Sequence, residues 1–279
     1  MGATLIADSG STKTSWTLTE PGKRKKNITT QGLSPYFLTS EQVNEILKAE
    51  LHPKLKSNPD DLFFYGTGCG NPANVKMLTT TFKTAFPKTR IKVESDILAA
   101  ARALCGHEKG MVCILGTGSS VCYYDGKKIA RSSPGLGFIL GDEGSGAYLG
   151  RKVVQYFLYN TFEPDLMDRF RARFPVQPTE ILDAVYRQPL PNRYLARFTE
   201  FLAENRGHFM IENIIEDGLN DFFFNHVYKF RESWTNPVHF VGSVAFGFKD
   251  KLADLCDSYE LQLGNVLKNP MDGLVRYHS

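Results

Sequence analysis

The glycine-rich stretch between Gly116 and Gly146 holds the residue types best suited to chemistry in this chain. It reads Gly116-Thr-Gly-Ser-Ser120, then Asp125-Gly126, then Gly135-Leu-Gly-Phe-Ile-Leu-Gly-Asp-Glu-Gly-Ser-Gly146. Glycine adopts backbone angles closed to other residues, so Gly116, Thr117 and Gly118 can bring bare N–H groups close to a ligand. Clusters of such groups bind phosphates. Asp142 and Glu143 stand where carboxylates could meet hydroxyls or a metal; favourable placement beside a helix N-terminus would also account for them. The stretch reads as the floor of a nucleotide-dependent site. A second set opens the chain, Asp8-Ser-Gly-Ser-Thr-Lys-Thr14.

Strand patterns position both sets. Met111-Val-Cys-Ile-Leu115 is an apolar run feeding the Gly116 turn, and Tyr148 to Phe162 has helical spacing. Thr4 to Asp8 reads as a buried strand, and Lys13 to Thr19 alternates, with Trp16 and Leu18 on one face. The Gly10 turn therefore joins two strands. A Walker A loop has Gly-x-x-x-x-Gly-Lys followed by Ser or Thr, and runs into a helix. This chain has neither that spacing nor that exit, so its phosphate reader would be a hairpin turn.

Further strands are expected over Asn27–Gln31, Leu62–Tyr65, Ile91–Glu94 and Val238–Val241, the last ending in Gly242-Ser-Val-Ala245. Asp125-Gly126 predicts a hairpin between Val121–Tyr124 and Lys127–Ala130. Ser40 can cap a helix through Leu51; Asn71 with Pro72 starts another; Ile97 to Cys105 is an alanine-rich third. Asp96 lies between strand and helix, as a cap or as a carboxylate held rigidly at a cleft. Helices are expected near Gly146–Thr161, Pro164–Arg173, Thr179–Arg187, Arg193–Asn205 and Ile211–Phe230. Another runs from the Gly242 turn through Leu261, and a short one closes the chain before Tyr277. The polar break Gly106–Gly110 divides a domain over 1–108 from one over 109–269. Leu5-Ile-Ala-Asp-Ser-Gly10 and Ile114-Leu-Gly-Thr-Gly118 echo one another, suggesting two similar α/β halves with a shared cleft.

The chain has 279 residues and a net charge of +3, too mild for a nucleic-acid protein. No apolar run approaches the roughly 20 residues that span a bilayer, and no signal peptide is visible, so a cytoplasmic protein is expected. Its five cysteines form no C-x-x-C pair, in keeping with free thiols in a reducing compartment.

Taken in order, Asp8-Ser-Gly-Ser-Thr-Lys-Thr14, Leu115-Gly-Thr-Gly-Ser-Ser120 and Val241-Gly-Ser-Val-Ala245 resemble the nucleotide segments of the sugar kinase, heat-shock ATPase and actin superfamily. Within it, Glu94-Ser-Asp-Ile-Leu-Ala-Ala-Ala101, Gly141-Asp-Glu-Gly-Ser145 and Pro270-Met-Asp-Gly-Leu-Val275 are similar to N-acetylglucosamine kinases of the BadF/BadG ATPase-like family. The resemblance implies an α/β protein of two ribonuclease-H-like domains around an ATP–Mg²⁺ cleft, with helix 270–279 packing back on the first domain. It assigns Asp8 to Mg²⁺, and Gly10, Ser11, Thr12 and Lys13 to the terminal phosphates. Gly116, Thr117 and Gly118 would form a second phosphate turn near the sugar. Gly242 and Ser243 would border the adenosine, and Gly135 and Asp142 would contact the sugar. Asp96 would be the catalytic carboxylate, orienting a sugar hydroxyl and accepting its proton.

The chain departs from the family pattern at three places. Ser34 stands where relatives often carry Asn, and Leu136 and Ser120 where the animal enzyme has Trp and Asn. The expected partners are ATP and an amino sugar. N-acetylglucosamine leads, with glucosamine, N-acetylmannosamine and N-acetylmuramic acid as alternatives. Neither nucleic acid nor membrane is expected, and the oligomeric state is left open, a homodimer included. Two other classes fit part of the pattern. An ATPase activator of a radical dehydratase would need an iron–sulfur cluster, for which the spacing of Cys105, Cys113 and Cys122 is unsuited. A non-catalytic ATP or sugar sensor would have no need of Asp96.

Overall fold

The computed structural model describes residues 2–10 and 13–279. The chain divides into two units, Met1–His107 with Pro270–Ser279, and Glu108–Asn269. In unit 1 the chain runs β1 (Thr4–Ser9), β2 (Lys13–Thr19), β3 (Lys26–Gln31), α1 (Ser40–Ile46), β4 (Asp61–Gly66), α2 (Pro72–Ala85), β5 (Arg90–Ser95) and α3 (Asp96–Cys105). The sheet order is β3-β2-β1-β4-β5. β2 is antiparallel to β1 and β3, whereas β4 and β5 run parallel to β1. The C-terminal ends of β1, β4 and β5 therefore lie along one sheet edge, and Asp8 sits in register with Tyr65 of β4. Alternation divides the side chains between two cores. Leu5, Ala7, Trp16 and Phe64 pack under α1 and α2 with Val43, Leu78 and Phe82. Ile6 and Tyr65 face the other way, against Ala99 and Ala103.

Local chemistry sets the helix ends. Asn71 Oδ1 accepts the Ala73 N–H at 2.9 Å, with Pro72 in the first helical position. The first helix differs from expectation. Thr39, not Ser40, is its cap, because Gln42 three residues on completes a reciprocal capping box. The chain then widens into a π-helical stretch, Leu47–Leu51.

Unit 2 repeats the plan with larger insertions: β6 (Gly110–Leu115), β7 (Ser119–Tyr124), β8 (Ile129–Ser132), α4 (Gly137–Leu140), α5 (Gly146–Leu158), α6 (Pro164–Arg173), α7 (Pro178–Tyr186), α8 (Pro191–Ala196), α9 (Thr199–Glu204), α10 (Phe209–Asn225), β9 (Val238–Val241), α11 (Ser243–Gly247), α12 (Lys249–Ser258) and β10 (Leu263–Leu267). Its sheet, β10-β9-β6-β7-β8, has the order and directions of the first when strands are counted from β6. Strand β10 and helix α4 are absent from the sequence-based reading. The single helix expected over Arg193–Asn205 is two, α8 and α9. A Cβ on Gly150 would come 1.9 Å from Leu195 O, so α5 and the end of α8 touch backbone to backbone where the chain changes course.

After unit 2 the chain returns to unit 1 as α13 (Met271–Tyr277), where Leu274 and Val275 complete the second core. A Cβ on Gly273 would lie 2.4 Å from Ala103 O, so only glycine lets α13 reach α3. Arg102 Nη1 donates to Tyr65 Oη at 2.7 Å, and that oxygen lies 2.8 Å from His278 Nε2. Among the described residues no helix is long and apolar enough to cross a membrane.

Candidate active site

In unit 1 the shared strand edge gathers carboxylates and a lysine. Asp8 ends β1 half-buried, and its carboxyl is pushed up to about 6 by burial and then by the Asp96 charge, while Lys13 pulls it down. Asp96 opens α3 with both oxygens engaged. Oδ2 accepts from Thr67 Oγ1 and Oδ1 from the Ile97 N–H, each at 2.9 Å. Thr67 is itself anchored, its N–H donating to Ser9 O at 3.1 Å. Asp96 is thus held in one orientation by the ends of β1, β4 and β5. Thr67 escaped the sequence reading; a Gly-Thr-Gly run at a strand end was its only signal. The Gly10 N–H donates to Lys13 O at 3.0 Å, closing the hairpin turn, and the Lys13 side chain is exposed. Ser11 and Thr12 lie outside the described residues.

The Ser34 loop is tied to this hairpin. Ser9 Oγ bonds Thr14 Oγ1 at 2.7 Å and accepts the Leu33 N–H at 3.0 Å. Ser34 is 3% exposed, and its Oγ finds no hydrogen-bond partner among the described residues. Such an orphan costs about 1–3 kcal/mol. As folded, the hydroxyl is sealed, and Tyr36 and Phe37 beside it are 62% exposed. Reaching a sugar would require this loop to shift.

In unit 2 the two glycine turns meet. A Cβ on Gly242 would fall 2.1 Å from Leu115 O and 3.1 Å from Gly116 N, and its φ of +132° also excludes other residues. Ser243 follows it, exposed, at the start of α11. The Gly116 N–H is not bare, since it donates to Gly118 O at 3.0 Å and closes the turn. Of the three expected phosphate donors, only Thr117 and Gly118 have N–H groups that donate to no backbone carbonyl among the described residues. The Gly116 and Thr117 carbonyls accept from Gly146 and Ala147, fastening the turn to the N-terminus of α5.

Asp142 adopts a left-handed backbone, φ +57°, which aspartate tolerates better than most residues. This lets Oδ1 accept the Ser119 N–H at 3.3 Å and brings Oδ2 against Gly118, where a Cβ would be 3.0 Å away. Burial raises its carboxyl above the usual range, and the Ser119 N–H partly offsets this. Asp142 and Gly135 line one shallow hollow, open to solvent. Ser120 also lines it, and so does Leu136, which is 56% exposed. Glu143 turns aside to His226, Oε2 to Nε2 at 2.8 Å, and His226 Nδ1 lies 3.1 Å from Ser133 Oγ in the same hollow.

Elsewhere, all five cysteines are buried thiols. Burial pushes Cys69, Cys105 and Cys256 up to about 12. Among the described residues, Glu163, Asp165 and His208 offer ligand atoms within 4.8 Å of one another. His208 Nδ1 accepts the Met210 N–H, which leaves the ring proton on Nε2, facing the two carboxylates as a donor.

No family model and no curated protein matches the chain. Among solved structures, an MreB protein of Spiroplasma citri bound to AMPPNP superposes with a TM-score of 0.58 at 10% identity, over 98% of this chain and 92% of that one. A protein of Chromobacterium violaceum provisionally described as an N-acetylglucosamine kinase gives 0.77 at 16% identity, over 100% and 99%. The two ribonuclease-H-like sheets thus have the actin-like ATPase fold. A protein of Porphyromonas gingivalis with the same provisional description gives 0.93 at 38% identity, over 98% of both chains. The chain belongs to this family of N-acetylglucosamine kinase-like proteins.

Proposed function

We propose that the protein is an ATP-dependent kinase of an amino sugar, transferring the terminal phosphoryl group of ATP to O6 of N-acetylglucosamine. The observation that carries this reading is the orientation of Asp96 by Thr67 and its own helix, beside Asp8 and the Lys13 turn. A sugar hydroxyl is a weak nucleophile at neutral pH. Asp96 orients it and accepts its proton as the new P–O bond forms. Lys13 and the Gly10 turn brace the terminal phosphates, with the N–H groups of Thr117 and Gly118 as a second brace. Gly242 and Ser243 border the adenosine; Asp142 and Gly135 take the sugar hydroxyls. A carboxylate whose ionisation is opposed by burial and by a neighbouring carboxylate suits a divalent cation, so Asp8 fits Mg²⁺. Mg²⁺, when bound, neutralises phosphate charge.

The test is a coupled ADP-release assay with Mg²⁺-ATP across amino sugars and neutral hexoses. Release should rise with one amino sugar and fall by about 10²–10⁴-fold in Asp96→Asn. Sugar-independent release that the variant leaves intact would overturn the reading.

A further inference from the structure

The proposed sugar hollow contains a hydrogen-bonded chain that joins three segments far apart in sequence: Glu143 Oε2 to His226 Nε2 at 2.8 Å, and His226 Nδ1 to Ser133 Oγ at 3.1 Å. A carboxylate can only accept, so Glu143 places the imidazole proton on Nε2. In the neutral ring Nδ1 is then an acceptor, and among the described residues the donor within its reach is the Ser133 hydroxyl. Ser133 thus gives its proton to His226 and keeps only lone pairs for the hollow. A free serine can turn to donate or accept. This one is fixed as an acceptor, and its backbone is pinned as well, the Ser133 N–H donating to Val121 O at 3.1 Å.

From this geometry we propose that Ser133, polarised by His226 and Glu143, is the specificity-determining acceptor for the amide N–H of a 2-acylamino sugar. The inference rests on the sugar-kinase reading and names the residue that selects the 2-acylamino group of its substrate. A hydroxyl both donates and accepts, so it satisfies a serine in either orientation. An amide N–H only donates, and a site that selects it needs an acceptor that cannot turn away. The hollow supplies the other half of an acylamino group's needs. Val121 and Phe222 form an apolar floor, and the exposed Leu136 offers a surface for the acyl methyl. His226 touches no substrate in this arrangement; it is a positioning residue acting through Ser133.

The experiment measures calorimetric Kd and steady-state ADP release for N-acetylglucosamine and 2-deoxyglucose, which lacks any donor at C2. Wild type, Ser133→Ala, His226→Gln and His226→Asn are compared. Ser133→Ala should weaken N-acetylglucosamine in Kd and KM by about tenfold. Its kcat should stay within about twofold, because the contact is made equally in ground and transition states, and its 2-deoxyglucose affinity should not change, because that sugar has no donor at C2. His226→Gln can still reach Glu143 but frees Ser133 to turn, so it should weaken N-acetylglucosamine in the same direction as Ser133→Ala and by less, with 2-deoxyglucose unchanged. His226→Asn keeps an oxygen near the Nδ1 position and should lose less. Equal weakening of both sugars, no weakening of either, or a wild type that does not bind N-acetylglucosamine would each overturn the inference. Ser133-dependent binding without turnover would sustain it and sink the kinase reading instead.

Discussion

The Asp8 carboxyl is held near 6 because burial, and then Asp96, oppose its ionisation. The folded protein therefore binds this proton more tightly than the unfolded chain, whose carboxyl titrates near 3.8. Between these values stability falls as pH rises, and the penalty stands in full above pH 6. Discounted for partial exposure, it amounts to about 1–2 kcal/mol. Asp8→Asn should thus raise Tm by about 2–6 °C at pH 8 in EDTA, and leave it unchanged at pH 4, in thermal unfolding followed by circular dichroism. The same substitution should impair phosphoryl transfer, because it removes the carboxylate proposed to hold Mg²⁺. Asp96 and Asp142 stand out as candidates in the sequence because short, ordered motifs flank them. Thr67 and His226 cannot. Their partners lie 29 and 83 residues away, and neither residue type announces a role without that contact.

Among the secondary-structure elements, α13 carries the clearest pH dependence. Burial lowers His278 to about 4, and Arg102 and Lys92 add to the shift. The ring is neutral when docked, with Nε2 facing the Tyr65 hydroxyl and its face stacked on Phe63 at 3.8 Å. As pH falls, the unfolded or undocked segment takes up the proton first. Docking is therefore complete above about pH 6.5 and weakens progressively toward pH 4, by about 1–2 kcal/mol after discounting for exposure. Amide exchange across 271–277, corrected for intrinsic rates, should lose protection between pH 7 and 5 while β1 keeps its own. His278→Phe should flatten that dependence; an unchanged pH profile in the variant would exclude His278 as the cause. Alternation and capping residues reveal nine of the ten strands among the described residues and most of the helices, in position if not in every boundary. Strand β10 stays hidden because Leu-Gly-Asn-Val-Leu has no clean alternation. Its glycine is there for the His239 ring, which lies 2.4 Å from a Cβ on Gly264. The break between α8 and α9 is hidden for a similar reason, since Gly150 reveals its contact with Leu195 only in three dimensions.

At the scale of the molecule, two sheets of one topology are built from unlike sequences. What survives between them is the apolar strand, the small-residue turn and the returning strand. Unit 1 is discontinuous, and Leu274 and Val275 from residues 270–279 cover a face that holds Ile6, Ala99 and Ala103. Fully burying such an aliphatic side chain is worth about 1.5–3 kcal/mol. Deleting 270–279 should therefore lower the Tm of unit 1 by more than any single substitution proposed above. Unit 2, with its contiguous chain, should keep its near-ultraviolet signal in the same melt. Loss of both signals together would mean that the units unfold as one.

That discontinuity also orders events during translation. Unit 1 begins first, yet its covering helix is made only after residues 108–269, on the order of ten to thirty seconds later at ordinary elongation rates. Unit 2 can close as soon as its own strands have emerged. The older half of the nascent chain meanwhile carries an open apolar face, and that face is where a ribosome-associated chaperone would find its target.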